Sequence, residues 1–322
     1  MTQFSSTNAG IVAGPSHSDG LYLKTFSGEV LKSYNTKTKL KGRIRERTIK
    51  HGKSYQFPAL GKAAAEYHKP GNVILGQDMN HGEKVIYVDD PLIASHFVSN
   101  FEEAMNHYET RSELAVQAGD ALAQAYDQHG FAIATKAAVN GTAGAVAEMG
   151  PATEAKIGTA PTLSNIVDSI YNSAAYFDST NVPENERVVF TTPDIYWDLI
   201  QDGSFLHRDF GNEGNGSQAR GTIMRVAGME IVSTNNLNLN FGVDTLVGRR
   251  AGADVSDYTV DGSATVALIM QKQALGAVKL MSLATEKDYQ VNRQGTLMVT
   301  RMATGMGVLR PDAIRLISAK AA

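Results

Sequence analysis

One long helical pattern constrains the fold of this chain more than any other feature. Apolar and small side chains recur at alternating four- and three-residue steps from Phe101 to Ala137. Ser99 and Glu102 have the spacing of a capping box, and Asn140–Gly141 supplies a stop that tolerates a left-handed backbone. The pattern predicts one amphipathic helix from Ser99 to Gly141, about 60 Å long. A rod of that length favours a mechanical element over an enzyme active site.

Small residues occupy the centre of the same stripe. Ser112, Ala115 and Gly119 follow one another at helical spacing. Because these side chains are short, we expect the backbone of another element to approach the helix closely here.

Composition excludes several classes of protein. Of the 322 residues, 43% are hydrophobic and 20% are charged, which are the values of a globular chain and not of a disordered one. The chain contains no Cys, so disulfides, thiolate metal sites and cysteine nucleophiles are excluded. A net charge of −3 does not indicate nucleic-acid binding by itself. No stretch approaches the roughly 20 apolar residues of a membrane span, so we expect no membrane partner.

The sequence contains none of the common motifs of catalysis. Its glycines lack the spacing of phosphate-binding and dinucleotide-binding loops, and neither H-E-x-x-H nor G-x-S-x-G occurs. The eight histidines are scattered, and His129 lies on the apolar stripe of the long helix, where a core histidine is the more common interpretation than a ligand. We therefore expect no enzyme activity, no cofactor and no metal site.

Charge is distributed unevenly along the chain. Lys32–Lys53 holds nine basic residues and one acidic residue, whereas residues 160–275 hold fourteen acidic and seven basic residues. Within the basic segment, every second residue is cationic: Lys37, Lys39, Lys41, Arg43, Arg45 and Arg47. A period of two predicts a strand with all six side chains on one face. That face is a solvated strand edge, a contact with an acidic surface of a neighbouring copy, or a contact with packed nucleic acid; we favour the neighbouring copy.

A two-stranded ribbon is predicted between Arg43 and Asp89. Tyr55–Gly61 reads as an extended segment that contains Pro58, Lys69–Asn72 is a turn signal, and Glu83–Asp89 alternates as a returning strand. An isolated ribbon of this kind is only marginally stable in water, so it requires a partner surface.

The remaining segments alternate between helical and strand patterns. Leu21–Tyr34, Leu163–Phe177 and a short segment opened by Pro193 have helical periodicity, and Arg187–Thr191 reads as a buried strand. Met224–Ser233 predicts a hairpin that turns near Gly228. Three further strands and a last one are predicted at residues 264–270, 277–283, 296–301 and 313–318. This alternation indicates the α+β class.

Six blocks in this order resemble the major capsid proteins of short-tailed phages of the T7-like type, which have the HK97-like fold. The blocks are Tyr22–Leu31, Gly52–Gly61, Glu83–Ile86, Glu103–Glu113, Ala277–Leu280 and Leu309–Pro311. The resemblance spans nearly the whole chain, and it is looser between residues 160 and 275.

The resemblance implies a division of the chain into the segments of that fold. Residues 1–42 correspond to the N-terminal arm, and residues 43–90 to the extended β-hairpin, or E-loop. The peripheral P-domain with its spine helix corresponds to residues 91–160 together with the C-terminal strands of residues 271–322. The axial A-domain corresponds to residues 161–270.

The resemblance also implies a function and a set of partners. Copies of the chain would form the pentamers and hexamers of an icosahedral phage head around double-stranded DNA, bound without sequence specificity. A portal protein is implied, and a separate scaffolding protein is expected because only about twenty residues precede the arm helix. The expected location is the virion, with the host cytoplasm during assembly. The alternative is an encapsulin-type nanocompartment shell.

On this interpretation the basic stripe and the hairpin carry the contacts between subunits. The predicted interface residues are Lys37, Lys39, Lys41, Arg43, Arg45, Arg47, Lys53, Phe57, Pro58, Pro70 and Gly71.

Overall fold

The computed structural model describes residues 17–63, 65–71, 73–74, 76, 78–99, 101, 110–146, 148–201, 216–217, 222–223, 225–237, 240–241 and 258–321. The main helices are α1 (His17–Lys37), α2 (Thr110–Val139), α3 (Leu163–Ser179) and α4 (Pro193–Gln201). Single 3₁₀ turns occur at Val291–Arg293 and Pro311–Ala313.

Strands follow in two groups along the chain. The first group is β1 (Arg45–Thr48), β2 (Ser54–Leu60), β3 (His81–Tyr87), β4 (Leu92–Ser99), β5 (Thr153–Lys156), β6 (Arg187–Thr191), β7 (Gly216–Ser217) and β8 (Thr222–Ile223). The second group is β9 (Arg225–Val226), β10 (Met229–Ser233), β11 (Asn240–Phe241), β12 (Val260–Asp261), β13 (Thr265–Gln271), β14 (Leu275–Gln290), β15 (Gly295–Val308) and β16 (Ile314–Ser318).

Two larger sheets combine strands from distant parts of the chain. Their strand orders are β1-β14-β15-β4 and β5-β16-β13-β6-β10-β9. The six-stranded sheet is mixed, because β6 pairs in parallel with β10 and antiparallel with β13. The ribbon β2-β3 is antiparallel, with Ser54 opposite Tyr87 and Leu60 opposite His81. Helices together with mixed and antiparallel sheets confirm the predicted α+β class.

One compact unit, built around the six-stranded sheet, comprises residues 39–90, 126–280 and 304–322. Its strands β6 and β13 are buried at every position, as the sequence predicts for Arg187–Thr191. Phe131 of α2 packs edge-on against Phe190 of β6, with ring centroids 5.0 Å apart. Strands covered on both faces account for the continuous apolar runs in the sequence.

The helix α3 of this unit forms where its periodicity predicts it. The Thr162 hydroxyl accepts the N–H of Asn165, which caps the first turn. Ile166, Ile170 and Phe177 lie at helical spacing and are buried, so one face of α3 packs on the core.

A second compact unit comprises residues 1–38, 91–125 and 281–303, and in it α1 packs on the first half of α2. The predicted close approach at the small residues is confirmed at Gly119. A Cβ at this position would stand 2.6 Å from the carbonyl oxygen of Val30 and 2.9 Å from Cβ of Ser33. The Ser33 hydroxyl donates to the carboxylate of Asp120, one residue further along α2. Glycine at position 119 therefore sets the distance between the two helices.

The end of the predicted long helix is confirmed, and at its start only Ser99 departs from the prediction, since Ser99 belongs to a strand while Phe101 is helical. Ser99 is the last residue of β4, where it pairs with Gly295, and α2 begins at Thr110. The 30 residues of α2 span about 45 Å, and residues 102–109 lie outside the described part of the chain. At the other end, Gly141 has a φ of 59°, in the left-handed region expected of a helix stop. The ladder to a strand almost two hundred residues away overrides the local capping pattern.

The stretch from Lys37 to Arg47 is not one strand, contrary to the sequence prediction. Lys37 is the last residue of α1, and only Arg45–Thr48 is extended, in parallel with residues 276–279 of β14. The predicted ribbon is correspondingly shorter, because its ladder consists of β2 and β3 alone.

We expect Gly119→Ala to destabilise the free subunit by about 1–3 kcal/mol, because the added methyl group collides with backbone atoms of α1. Gly28→Ala is the matched control, since Gly28 lies in α1 with open space around it, and here the better helix former should leave stability unchanged or raise it by up to about 1 kcal/mol. Urea unfolding of the two unassembled variants measures both effects. Equal stabilities would show that α1 and α2 are not held at this distance.

Candidate assembly surfaces

The root of the β2-β3 ribbon is fixed in the core of its unit. Phe57 of β2 and Ile86 of β3 are almost fully buried and form one apolar cluster with Val278 of β14. Two glycines leave space for the side chain of Ile86, because a Cβ at Gly276 or at Gly307 would stand about 3 Å from it. The ribbon therefore leaves the core from a rigid base.

The outer part of the ribbon exposes apolar side chains. Tyr67 is fully exposed, and Val73 and Ile74 are 83% and 74% exposed. Leu60 and Met79, at the start and end of this segment, are exposed as well. We call these five residues the apolar tip. Apolar side chains gathered on a projecting segment, with few apolar neighbours of their own, are typical of a protein–protein contact.

Three of the predicted interface residues, Pro58, Pro70 and Gly71, lie on the ribbon. Pro70 and Gly71 form its exposed turn, and Gly71 has a φ of 96°, which favours glycine. Pro58 is exposed in β2, opposite Glu83 of β3. A proline is tolerated there because a two-stranded ribbon leaves the outer edges of both strands unpaired.

The six cations of the predicted basic stripe are distributed over separate sites. Lys37 forms an ion pair with Asp120 at 3.3 Å in one unit, and Arg43 forms one with Glu230 at 2.6 Å in the other. Lys39 contributes its backbone N–H to a hydrogen bond described below, and Lys41 is exposed. The single continuous cationic face that the sequence predicts is therefore absent.

The alternation that the sequence predicts holds only within β1. Glu46 lies half-buried between Lys279 of β14, whose ammonium is 2.6 Å from its carboxylate, and the hydroxyl of Tyr126. Arg45 and Arg47, on either side of it in the sequence, are exposed. The inward carboxylate and the outward guanidinium groups thus have different roles: the first joins β1 to the core, and the others face solvent.

The two exposed arginines lie over aromatic rings of the ribbon. The guanidinium carbon of Arg45 is 5.4 Å from the ring centroid of Phe57, and that of Arg47 is 5.5 Å from the ring centroid of Tyr55. The two rings contact each other edge-on at 4.9 Å. We call these four residues the arginine platform. Of the predicted interface residues, it brings together Arg45, Arg47 and Phe57, while Lys53 is exposed nearby in sequence.

A buried carboxylate holds the segment that precedes β1. Asp127 of α2 is fully buried and accepts the backbone N–H groups of Lys39 at 2.7 Å and Leu40 at 3.1 Å. Burial raises the pKa of Asp127 to about 6, although these hydrogen bonds and the amide of Asn236 act in the opposite direction. Sequence reasoning missed this residue; the only signal is an acid next to the apolar stripe of α2.

His129, two residues further along α2, is a core histidine, as its position in the apolar stripe predicts. Its ring stacks on that of Tyr258 at 4.2 Å, and the Tyr258 hydroxyl donates to Asp89. Burial lowers the pKa of His129 to about 4. The two groups therefore change the stability of the fold in opposite directions with pH. Asp127 favours folding at acidic pH, and His129 favours folding at neutral pH.

Two negative findings apply to the described part of the chain. No group of three or more histidine, aspartate and glutamate side chains is arranged to hold a metal ion there. None of the helices described is both long and apolar enough to cross a bilayer. The described residues do contain a ribbon with an exposed apolar tip and an exposed arginine platform, which together suit a protein that contacts other proteins.

Comparison with known proteins defines the class. The major capsid protein of Enterobacteria phage T3 is 31% identical over 332 aligned residues, which cover 95% of this chain and 94% of that protein. The major capsid protein of Escherichia phage T7 is 30% identical, with 91% and 90% covered. A capsid structure of the cyanophage P-SCSP1u has a TM-score of 0.74 at 32% identity, with 88% and 89% covered. The chain thus has the HK97-like capsid fold that the resemblance implies.

A family model described as "Gp10A-like: Major capsid protein" matches residues 56–317. The chain therefore belongs to the Gp10A-like family of major capsid proteins, the structural shell proteins of T7-like phage virions. Because the relatives matched along nearly the whole chain are phage capsid proteins, the encapsulin alternative is not favoured.

The pH dependence of subunit stability should separate the two buried groups. The contribution of Asp127 to the free energy of unfolding is greatest below its ordinary pKa of 3.8 and is lost as the pH rises through about 6. That of His129 is complete above 6.5 and is lost as the pH falls to about 4. Between pH 7 and pH 5 the two changes oppose each other, so the wild-type profile should be shallow.

We expect Asp127→Asn to lose, and His129→Phe to gain, about 1–2 kcal/mol of stability relative to wild type as the pH falls from 7 to 5. Phenylalanine preserves the stacking on Tyr258 while removing the titration. Urea unfolding of unassembled subunits at the two pH values gives the slopes. Parallel profiles for all three proteins would contradict the assignment.

Proposed function

We propose that copies of this chain form the pentamers and hexamers of an icosahedral phage head that encloses double-stranded DNA. The observation that carries the proposal is the β2-β3 ribbon, whose root is buried in its own subunit and whose tip presents apolar side chains outward. Membership in a family of major capsid proteins supports the same conclusion. The chain has a structural role and no catalytic one.

A neighbouring copy is the partner that this geometry favours for the apolar tip. A segment that leaves one subunit and covers the next makes a heterologous contact, and such contacts repeat around a ring until it closes. Each contact is individually modest, but a subunit held by several of them is held firmly. In the shell the apolar tip is then buried against the neighbouring copy, whereas in the free subunit it is exposed to water.

We also propose a role for each segment of the fold and for the partners of the shell. Residues 1–42 act as the arm, 43–90 as the E-loop, 91–160 with 271–322 as the P-domain and 161–270 as the A-domain. A separate scaffolding protein guides assembly in the host cytoplasm, a portal protein occupies one vertex, and DNA is contacted without sequence specificity. In this scheme Pro58, Pro70, Gly71 and Lys53 belong to the E-loop contact.

The test of the proposed function is assembly of the purified chain with the scaffolding protein of the same phage, followed by electron microscopy. We expect closed shells from the wild-type protein and none from the variant that carries Val73→Asp and Ile74→Asp, because two carboxylates in the apolar tip oppose its burial. Val73→Ile with Ile74→Val keeps the tip apolar and is the matched control. A wild-type chain that never forms shells, or a diaspartate variant that forms them normally, would contradict the proposal.

Gly71 should be needed for the shape of the ribbon. Valine at a φ of 96° is strained by about 1–3 kcal/mol, so Gly71→Val should change the turn and lower the yield of shells. Gly76→Val is the control, because Gly76 lies in the same outer segment with equally open space and without a positive φ. Equal yields from the two variants, measured by sedimentation, would show that the turn does not determine the contact.

A further inference from the structure

The arginine platform is an exposed cationic surface. Within the described residues, neither Arg45 nor Arg47 lies within ion-pair distance of a carboxylate, whereas Lys37 and Arg43 do. Ring contacts with Phe57 and Tyr55 restrict both guanidinium groups while leaving them exposed. Part of the entropy cost of fixing these long side chains is thus met before any partner binds.

The helix α4 carries a surface of the opposite character. Asp194, Trp197 and Asp198 are exposed at positions i, i+3 and i+4, so they share one face of the helix. Trp197 is 53% exposed, and it is the only tryptophan of the chain. Its ring contacts that of Tyr196 edge-on at 6.0 Å, which orients it. Among the described residues, no cation pairs with Asp194 or Asp198.

These two surfaces complement each other in charge and in chemistry. A guanidinium group binds carboxylates through hydrogen bonds and stacks on an indole ring, and Trp is the strongest of the aromatic partners for a cation. Tryptophan and arginine are also the residues that contribute most to protein contacts. An exposed tryptophan between two aspartates is therefore suited to receive an arginine.

We propose that the arginine platform of one subunit binds the Asp194–Trp197–Asp198 face of α4 in a second copy of the chain. The proposal rests on the proposed function and refines the predicted contact between the basic segment and the acidic A-domain. It assigns that contact to Arg45 and Arg47. Lys37 and Arg43 of the predicted stripe form ion pairs within the subunit, whereas Arg45 and Arg47 are exposed and lie over aromatic rings. Since the two surfaces are different and both lie on every copy, the contact is heterologous and repeats from subunit to subunit.

A charge exchange across the contact tests the proposal. Arg45→Glu with Arg47→Glu places four carboxylates at the interface, and Asp194→Arg with Asp198→Arg places four guanidinium groups there. We expect each double variant to lower the yield of shells by about tenfold or more, because the repulsion is repeated at every contact. The quadruple variant, which restores opposite charges with their sides exchanged, should recover most of the wild-type yield. Each variant is first shown to unfold in urea like the wild-type subunit.

A matched control variant separates the contact from a general effect of net charge. Lys32→Glu with Lys156→Glu changes the net charge equally at two exposed positions that belong to neither surface, and should assemble normally. Normal assembly of either double variant, or failure of the quadruple variant to recover, would overturn the proposed contact and leave the proposed function intact. A wild-type chain that forms no shells would instead contradict the proposed function. Normal shells from Arg45→Glu with Arg47→Glu that retain less DNA would assign the platform to nucleic acid and also overturn it.

Trp197→Ala separates this contact from simple charge attraction. It leaves both aspartates in place, so charge attraction alone predicts no loss of shell yield, whereas stacking of an arginine on the indole ring predicts a loss. Trp197→Phe, which keeps an aromatic face, should retain more of the yield than Trp197→Ala. Equal yields from wild type and Trp197→Ala would show that the indole ring takes no part.

Discussion

The burial of the ribbon root is the interaction on which the other surfaces depend. Phe57 and Ile86 lie on paired strands and fill one cluster with Val278, and glycines at 276 and 307 leave the space that Ile86 occupies. Because this anchor is tight, the outer ribbon leaves the core in a defined direction, although its own ladder ends at Leu60 and His81. The same anchor positions the ring of Phe57 beneath Arg45. A core contact thereby positions both the arginine platform and the base of the outer ribbon.

The segment that leads into β1 is fixed by two features of α2. Asp127 accepts two successive backbone N–H groups, and the side chain of Leu40 occupies the place where Gly130 lacks a Cβ. A buried carboxylate with a pKa of about 6 is a costly way to fix a turn. It specifies one position of the chain, however, because an apolar side chain in its place would not bind two adjacent N–H groups. Because His129 changes the stability of the subunit with pH in the opposite direction, the burial of Asp127 alters the pH profile less than it would alone.

Sequence patterns predicted the elements that local chemistry decides. The capped first turn of α3 and the turn at Gly228, which has a φ of 75°, depend on residues close in the sequence, and the continuous apolar run of β6 is itself the sign of a strand covered on both faces. The basic stripe was predicted wrongly, and Ser99 lies in a strand and not in the long helix, because distant residues decide both. Ser99 pairs with Gly295, and Arg45 pairs in register with Gly276. The resemblance predicted the fold and the family. The arginine platform and the role of the Asp127 carboxylate could be found only in the three-dimensional structure, because each depends on an aromatic ring or an N–H donor that lies far away in the sequence.

Ion pairs formed within a subunit and charges left unpaired have different consequences for assembly. Arg43 and Lys37 are satisfied by Glu230 and Asp120, so bringing a second copy near them gains little. An exposed pair contributes only about 0–1 kcal/mol, and a shell therefore cannot rely on any one of them. A guanidinium group that is already ordered by a ring loses less entropy on binding than a free lysine does. In the proposed contact, two arginines held over aromatic rings would bind weakly enough to be reversible during assembly and specifically enough to select one face of the neighbour.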